Sequence, residues 1–246
     1  MNAPALAVLD VGNTAVKMVF FDGRGAVVSA ARFPALRFPG AALAGLRRVP
    51  VIGVSVHGGH LRMVERALAP ARLLLLGRDF PLLAGNRTAR PRETGHDRLC
   101  AAIAAHHRAG GTAVALGLGT AVTVDMVDGR GMFLGGAIAA GLRAAAAGLA
   151  AAAPGLPPVD LAPGGSGPFP GRTTRGALRA GFILGFAGLV DGLAGAAVRA
   201  RPGAPVFLHG GDAPLVRRNL STRVIHAPHL VAEGARLLWL RAGGGA

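Results

Sequence analysis

The sequence repeats one pattern, in which three successive β-strands are followed by alternating helices and strands. Apolar runs with turn residues between them predict the strands, and apolar residues at helical spacing predict the helices. The predicted strands span residues 6–11, 15–21, 26–33, 51–56, 73–76, 112–116, 121–127, 131–138, 206–208 and 223–225. The predicted helices span residues 61–68, 96–108, 141–152, 174–199 and 230–240. Because the second set of three strands begins near residue 110, the pattern indicates an internal duplication.

The duplication favours one fold class. Two similar halves of mixed strands and helices predict an α/β protein made of two ribonuclease-H-like lobes with a cleft between them. We expect the lobes to span residues 1–110 and 111–246. The chain has 246 residues, of which 51% are hydrophobic, so it can build the core that such a fold requires.

The charge of the chain is strongly positive. Lysine and arginine number 27 against 12 aspartate and glutamate residues, which gives a net charge of +15. The arginines are scattered and few aromatic residues accompany them, which is not typical of a nucleic-acid-binding surface. The positive field is better suited to attracting small anions.

The remaining composition points to a cytoplasmic protein. The single cysteine, Cys100, excludes a disulfide framework and makes a zinc site improbable. The first residues lack the basic segment of a signal peptide, and no uncharged apolar stretch is long enough to span a membrane.

The first candidate site follows the first predicted strand, which ends in Asp10-Val11-Gly12-Asn13-Thr14. Asp10 could bind magnesium directly or through water, while the turn amides and Thr14 bind phosphate oxygens. Lys17 could reach the same anion as a point charge. The alternative is an Asx-type hairpin turn, in which Asp10 accepts hydrogen bonds from the turn amides. The segment alone does not decide between the two.

The second candidate site lies at the matching place in the second half, in Gly117-Leu118-Gly119-Thr120-Ala121. Two glycine-containing turns that each carry a threonine could hold a nucleoside triphosphate between them. The string lacks the third glycine of the dinucleotide-binding fingerprint and precedes a strand rather than a helix. The argument for a nucleotide site here therefore rests on the duplication and not on the string itself.

The third candidate site opens a predicted helix with Gly95-His96-Asp97-Arg98. Asp97 could be a helix N-terminal acid that pairs with Arg98, since a carboxylate is favourable at that end of the helix dipole. The functional alternative makes Asp97 a general base that accepts a hydroxyl proton and makes Arg98 the partner of an anionic substrate group.

Taken together, the strings resemble the type III pantothenate kinases, members of the superfamily of acetate and sugar kinases, actin and heat-shock chaperones. The resemblance covers roughly residues 6–240 and rests on the order and spacing of several strings. Besides the three above, these are Gly119-Thr120-Ala121-Val122-Thr123-Val124-Asp125, Gly135-Gly136-Ala137-Ile138, Thr174 with Ala177 and Gly181, Gly210-Gly211-Asp212-Ala213, and Leu230-Val231-Ala232-Glu233-Gly234.

The resemblance implies ATP-dependent phosphorylation of pantothenate to 4'-phosphopantothenate, the first step of coenzyme A biosynthesis. It implies a homodimer that uses Mg2+ and a monovalent cation, K+ or NH4+. By this likeness, the pantothenate site consists of Gly95, His96, Asp97, Arg98 and Thr174, with Asp97 as the proton acceptor. The ATP site consists of Asp10, Val11, Gly12, Asn13, Thr14, Ala15, Val16, Lys17 and Thr120. Within it, Asp10 would bind magnesium.

The sequence departs from the family pattern at three positions. Gly117 replaces the aspartate that usually binds the monovalent cation, and restoring Asp there is expected to introduce or strengthen potassium activation. Thr88 replaces a tyrosine of the substrate site, and Ala140 replaces a proline. These departures keep open an impaired family member that acts as a nucleotide-binding or transcription accessory protein. A kinase for another small molecule is a further alternative, because fold does not fix the substrate.

Overall fold

The computed structural model describes residues 3–37, 49–55, 58–69, 71–162 and 164–244. The strands are β1 (Leu6–Val11), β2 (Ala15–Phe21), β3 (Val27–Pro34), β4 (Val51–Ser55), β5 (Leu73–Leu75), β6 (Ala113–Leu118), β7 (Ala121–Val127), β8 (Phe133–Ala140), β9 (Val206–His209) and β10 (Ile225–His226). The helices are α1 (Gly58–Leu68), α2 (His96–Ala109), α3 (Leu142–Ala152), α4 (Thr174–Ala200), α5 (Ala213–Val216) and α6 (Leu230–Arg241). The predicted elements are present with shifts of a few residues at their ends; Val56, the last residue of the predicted strand 51–56, lies outside the described residues.

The strands form two five-stranded sheets with the same topology. The orders are β3-β2-β1-β4-β5 and β10-β9-β6-β7-β8. In each sheet the first three strands in sequence are antiparallel and the last two are parallel to the first. The predicted duplication and its mixed α/β lobes are therefore confirmed.

The central strand of each sheet is apolar on both faces. Every residue of β6 is buried, and β1 is buried except for the partly exposed Asp10. A strand that is covered on both faces has a continuous apolar run rather than alternation. Asp10 interrupts the run of β1 near its end, so a carboxylate lies where the pattern of the strand predicts an apolar residue.

The chain divides into two compact units, Met1–His107 with His229–Ala246, and Arg108–Pro228. The sequence assigned the C-terminal helix to the second lobe of 111–246, whereas α6 packs against β1 and β4 of the first unit. Gly234 explains how closely it packs, because a Cβ there would overlap the backbone of Cys100 in α2.

Each unit has its own apolar core. In the first, Leu9, Val11 and Val16 pack with Val64 and Leu68 of α1. In the second, β6 and β7 pack against the buried side of α4, which includes Ile183, Phe186 and Val190. By length and composition α4 could cross a membrane, and a third of its most apolar stretch is buried; a single helix of this kind is weak evidence for a membrane span, because a core helix can pass the same test.

The main local difference from the sequence prediction concerns Gly117. It was expected in the turn after the first strand of the second half, but it lies inside β6 and pairs with Thr123 of β7 and His209 of β9. The turn itself is confined to Gly119 and Thr120. The β6–β7 ladder continues to Leu118, which pairs with Val122, while the β6–β9 ladder ends at Gly117.

Candidate active site

Asp10 and Lys17 form an ion pair at the end of the β1–β2 hairpin. The two residues are opposite each other in the antiparallel register, so their side chains lie on the same face of the sheet. Lys17 Nζ is 2.9 Å from Asp10 Oδ2, and the carboxylate is only 13% exposed. A sheltered carboxylate beside an ammonium group is suited to bind a cation and a phosphate next to each other.

The turn between these two strands is held by its backbone. The Gly12 amide donates to Ala15 O at 3.0 Å, the Ala35 amide donates to Thr14 O at 3.0 Å, and His60 Nδ1 lies 3.1 Å from Gly12 O. Among the described residues Asp10 bonds to Lys17 and not to the turn amides. The Asx-turn alternative is therefore wrong.

The predicted ATP-binding segment contains two kinds of residue. Asn13 and Thr14 are exposed at the tip of the turn. Val11, Ala15 and Val16 have buried side chains. Any contact that these three make with a nucleotide must therefore come from the backbone.

Asp97 lies in the first turn of α2 and is electrostatically coupled to the ion pair. Burial raises the pKa of the Asp97 carboxyl, and the negative charge of Asp10 raises it further. A hydrogen bond from the Arg98 backbone amide and the charges of Lys17 and Arg98 act in the opposite direction without cancelling the rise. The first unit thus brings together Asp10, Lys17 and Asp97, which sequence reasoning placed in two separate motifs.

Gly95 makes room for the Asp97 carboxylate. A Cβ at position 95 would lie 2.6 Å from Asp97 Oδ1, closer than a Cβ atom normally approaches an atom to which it is not bonded. His96 packs in a similar way over Gly77, whose φ of 83° is in the left-handed region and whose Cβ would lie 2.6 Å from His96 Cε1. The glycine of the third motif therefore has a steric function in the site.

Thr88 has a structural function in the loop before α2. Its hydroxyl donates to Asn86 Oδ1 at 2.8 Å, and Asn86 Nδ2 donates to Thr94 Oγ1 at 3.0 Å. Since Thr94 directly precedes Gly95, this network supports the segment that presents Asp97.

Thr120 is exposed in the second unit, where three loops meet. The Gly141 amide donates to Thr120 O and the Asp212 amide donates to Leu118 O, each at 3.0 Å. A Cβ on Gly141 or Gly210 would overlap the carbonyl groups of this turn. The glycines therefore allow the loops after β6, β8 and β9 to touch through their backbones.

Gly117 has no space for a side chain. A Cβ there would lie 2.6 Å from Thr123 Oγ1 and 3.0 Å from the His209 ring. His209 itself is only 8% exposed. The place where an aspartate side chain would begin is thus filled by a threonine and a histidine.

Thr174 begins α4 and is exposed. Its neighbour Thr173 caps the helix by accepting a hydrogen bond from the Gly176 amide at 3.0 Å. Thr174 lines an apolar groove of about 570 Å³ together with Ala140, Leu156, Phe182 and Leu189.

Sequence reasoning missed the contact of His60 with Gly12 and the filling of the Gly117 site by His209. Both join residues from distant parts of the chain. Local spacing contains no signal for such contacts; the parallel pairing of β6 with β9 could have suggested the second.

Comparison with known proteins identifies relatives of the whole chain. The family model described as type III pantothenate kinase matches residues 6–196. Type III pantothenate kinase of Parafrankia sp. (strain EAN1pec) is 36% identical over 253 residues, which cover 95% of this chain and 97% of the relative. That of Frankia alni is 35% identical over 256 residues, which cover 95% and 98%.

Solved structures agree on the fold. A Campylobacter jejuni protein assigned to the Baf family of transcriptional activators aligns with a TM-score of 0.60 at 18% identity and covers 96% of this chain and 98% of its own. Component A of (R)-2-hydroxyglutaryl-CoA dehydratase from Acidaminococcus fermentans aligns with a TM-score of 0.56 at 16% identity and covers 98% of both chains. The predicted duplicated ribonuclease-H-like fold is thereby confirmed. With the family model over residues 6–196 and relatives that match end to end, the chain belongs to the type III pantothenate kinase family.

Proposed function

We propose that this protein transfers the terminal phosphoryl group of ATP to the primary hydroxyl of pantothenate and so forms 4'-phosphopantothenate for coenzyme A biosynthesis. The observation that carries the proposal is the position of Asp97, a half-buried carboxylate of raised pKa coupled to Asp10 and Lys17 in a chain of this family. Phosphoryl transfer needs positioned charges and one acceptor for the hydroxyl proton, and these residues can supply both.

In this mechanism Asp97 accepts the proton of the pantothenate hydroxyl as the oxygen attacks the terminal phosphorus and ADP leaves. The raised pKa makes its carboxylate a better base than an exposed aspartate. Lys17 and the amides of the turn at Asn13 and Thr14 bind phosphate oxygens, with Thr120 as a second phosphate contact. Arg98 binds the pantothenate carboxylate, while Gly95, His96 and Thr174 line the pantothenate site.

Asp10 is the residue suited to hold Mg2+. Among the described residues no three metal-binding side chains form a group, but Mg2+ keeps several waters and binds phosphate oxygens, so one or two carboxylates are enough. When bound, Mg2+ neutralises charge on the transferring phosphates. A monovalent cation would lack a carboxylate ligand at Gly117, so we propose that potassium or ammonium has little effect on this enzyme.

The partners of the protein are then ATP and pantothenate in the cytoplasm, without nucleic acid or a membrane. Scattered arginines and the burial of one side of α4 support this. An accessory or regulatory role is not favoured, because Asp10, Lys17 and Asp97 are assembled and the relatives that match end to end are named as kinases.

The deciding experiment measures ATP consumption by the purified protein with Mg2+, with and without pantothenate, at high and low potassium. Phosphate transfer that requires pantothenate supports the kinase. ATP binding without transfer would instead favour a nucleotide-binding regulator. Transfer to another hydroxyl compound would identify a kinase with a different substrate.

The rate of transfer should depend on pH through Asp97. Because the pKa of this carboxyl is raised and only its ionised form accepts a proton, kcat/KM for pantothenate should rise with pH through a value above the usual aspartate range. In Asp10→Asn the neighbouring negative charge is lost, so the pKa of Asp97 measured by carboxyl NMR should fall. A rate that is already maximal at the ordinary pKa of aspartate would contradict this assignment.

We also expect a homodimer that covers the groove on α4. Leu189, which lines this groove, is 42% exposed, and Leu184 on the same helix is 36% exposed; exposed apolar surface of this kind is typical of an interface. Light scattering should give the mass of a dimer for the wild type and of a monomer for Leu189→Arg. The matched control Leu240→Arg, at an equally exposed position on α6, should remain dimeric. A wild-type monomer at micromolar concentration would overturn the expectation.

A further inference from the structure

An ion pair joins two loops of the second unit and has no role in the mechanism proposed for the kinase. Arg143 Nε lies 3.0 Å from Asp212 Oδ1, although the residues are 69 positions apart. The Asp212 side chain is only 8% exposed, whereas that of Arg143 is 60% exposed. One end of the pair is therefore fixed within the protein while the other faces solvent.

The pair lies where the three loops around Thr120 meet. Arg143 is the second residue of α3 and lies two positions after Gly141, whose amide donates to Thr120 O. Asp212 follows Gly210 and Gly211, and its own amide donates to Leu118 O. The side-chain ion pair thus links two loops that each bond to the segment Leu118 to Thr120.

The guanidinium of Arg143 retains donors for a further partner. Only Nε is used on Asp212, and within the part of the chain that the structure describes the two terminal nitrogens have no hydrogen-bond or ion-pair partner. A planar guanidinium with free donors matches the oxygens of a phosphate group. Anchoring by Asp212 also limits the conformational entropy that Arg143 would lose on binding.

A groove beside Arg143 offers space for the rest of such a ligand. It has a volume of about 490 Å³ and lies between α3 and the loop that follows it. Its lining combines Arg143 with small or apolar side chains, among them Ala146, Ala147, Ala150 and Pro158. A charged group beside an apolar groove fits a ligand that has both a phosphate and an apolar part.

We propose that Arg143, positioned by Asp212, binds a phosphate group of the nucleotide next to Thr120. This inference rests on the proposed function, because it assigns the residue to the ATP site of that kinase. Arg143 is a binding residue in this assignment, and Asp212 is a positioning residue that acts through it.

The test measures the Kd for Mg-ATP by calorimetry without pantothenate, and the KM values for ATP and pantothenate in the transfer assay. In Arg143→Met the Kd and KM for ATP should rise about 10- to 100-fold, the loss expected for a charge-assisted hydrogen bond, while the pantothenate KM stays within about twofold. Arg143→Lys should recover part of the loss. The control Arg130→Met removes a positive charge from the turn at the opposite end of β7 and should leave all three constants unchanged.

Asp212→Asn should weaken ATP binding less than Arg143→Met, and the double variant should bind ATP no worse than Arg143→Met alone, because Asp212 acts through Arg143. Additive losses would overturn the role of Asp212. If Asp212→Asn fails to fold by circular dichroism, the exposed Arg143 variants still decide the proposal.

An Arg143→Met variant that binds ATP as tightly as Arg130→Met would overturn the proposal, as would a change confined to the pantothenate KM. Wild-type protein that binds ATP without transferring phosphate would contradict the proposed kinase, and the calorimetric comparison would still decide the role of Arg143. Wild-type protein that does not bind ATP would overturn both.

Discussion

Replacing Asp97 by asparagine should lower the rate of phosphate transfer to pantothenate by about 100- to 10,000-fold, the contribution usual for a general base. Asparagine has the same shape but accepts no proton at neutral pH. The Kd for ATP should stay close to that of the wild type, because Asp97 is assigned to the acceptor hydroxyl rather than to the nucleotide.

Asp97→Asn should lose activity without losing stability. Since the folded protein raises the pKa of the Asp97 carboxyl, ionisation is less favourable in the folded than in the unfolded chain. The stability that this group contributes is therefore present at low pH and is lost as the pH rises through the folded pKa. At neutral pH Asp97→Asn should consequently melt no lower than the wild type while it loses activity.

Asp22→Asn provides the matched control for this prediction. Asp22 is also a buried acid of the first unit, but it lies at the other end of the β1–β2 hairpin, where its carboxylate accepts from the Arg24 and Ala26 amides. Asparagine keeps an oxygen for these bonds, so the transfer rate should be unchanged. An Asp97→Asn rate close to that of Asp22→Asn would remove Asp97 from the mechanism.

The sequence was sufficient to predict the fold because its signals are local and occur twice. Turn residues such as Gly12-Asn13 and Asp128-Gly129 separate apolar runs of strand length, and the same order of elements recurs after residue 110. The position of α6 was harder to predict. It packs with β1 and β4, more than 170 residues earlier in the chain, and no local pattern encodes that choice.

The candidate site was predictable only in part. Asp10 and Asp97 stand out because an acid at the end of an apolar strand or at a helix start needs an explanation. Their electrostatic coupling depends on how α2 packs against the first sheet, which spacing does not reveal. The same holds for Arg143 and Asp212, whose loops meet only in the folded second unit.

Gly117→Asp is the second variant for which we expect a large effect, and here the structure changes the expectation. Sequence comparison alone predicts that an aspartate restores a cation ligand and introduces potassium activation. Gly117 is buried in β6, however, and a Cβ would already lie 2.6 Å from Thr123 Oγ1. We therefore expect the free energy of unfolding to fall by about 3 kcal/mol or more, from overpacking together with the cost of burying a charge.

Two further variants separate crowding from charge. Gly117→Ala adds only the Cβ and should lower the free energy of unfolding by about 1–3 kcal/mol in denaturant titrations. Adding His209→Ala to Gly117→Asp removes the ring that the new Cβ would approach to 3.0 Å, so part of the loss should be recovered. Only in this roomier double variant should potassium raise the transfer rate. If Gly117→Asp alone is as stable as the wild type, the space beside β6 is not filled by Thr123 and His209. In that case the missing aspartate reflects a change in cation use rather than in packing.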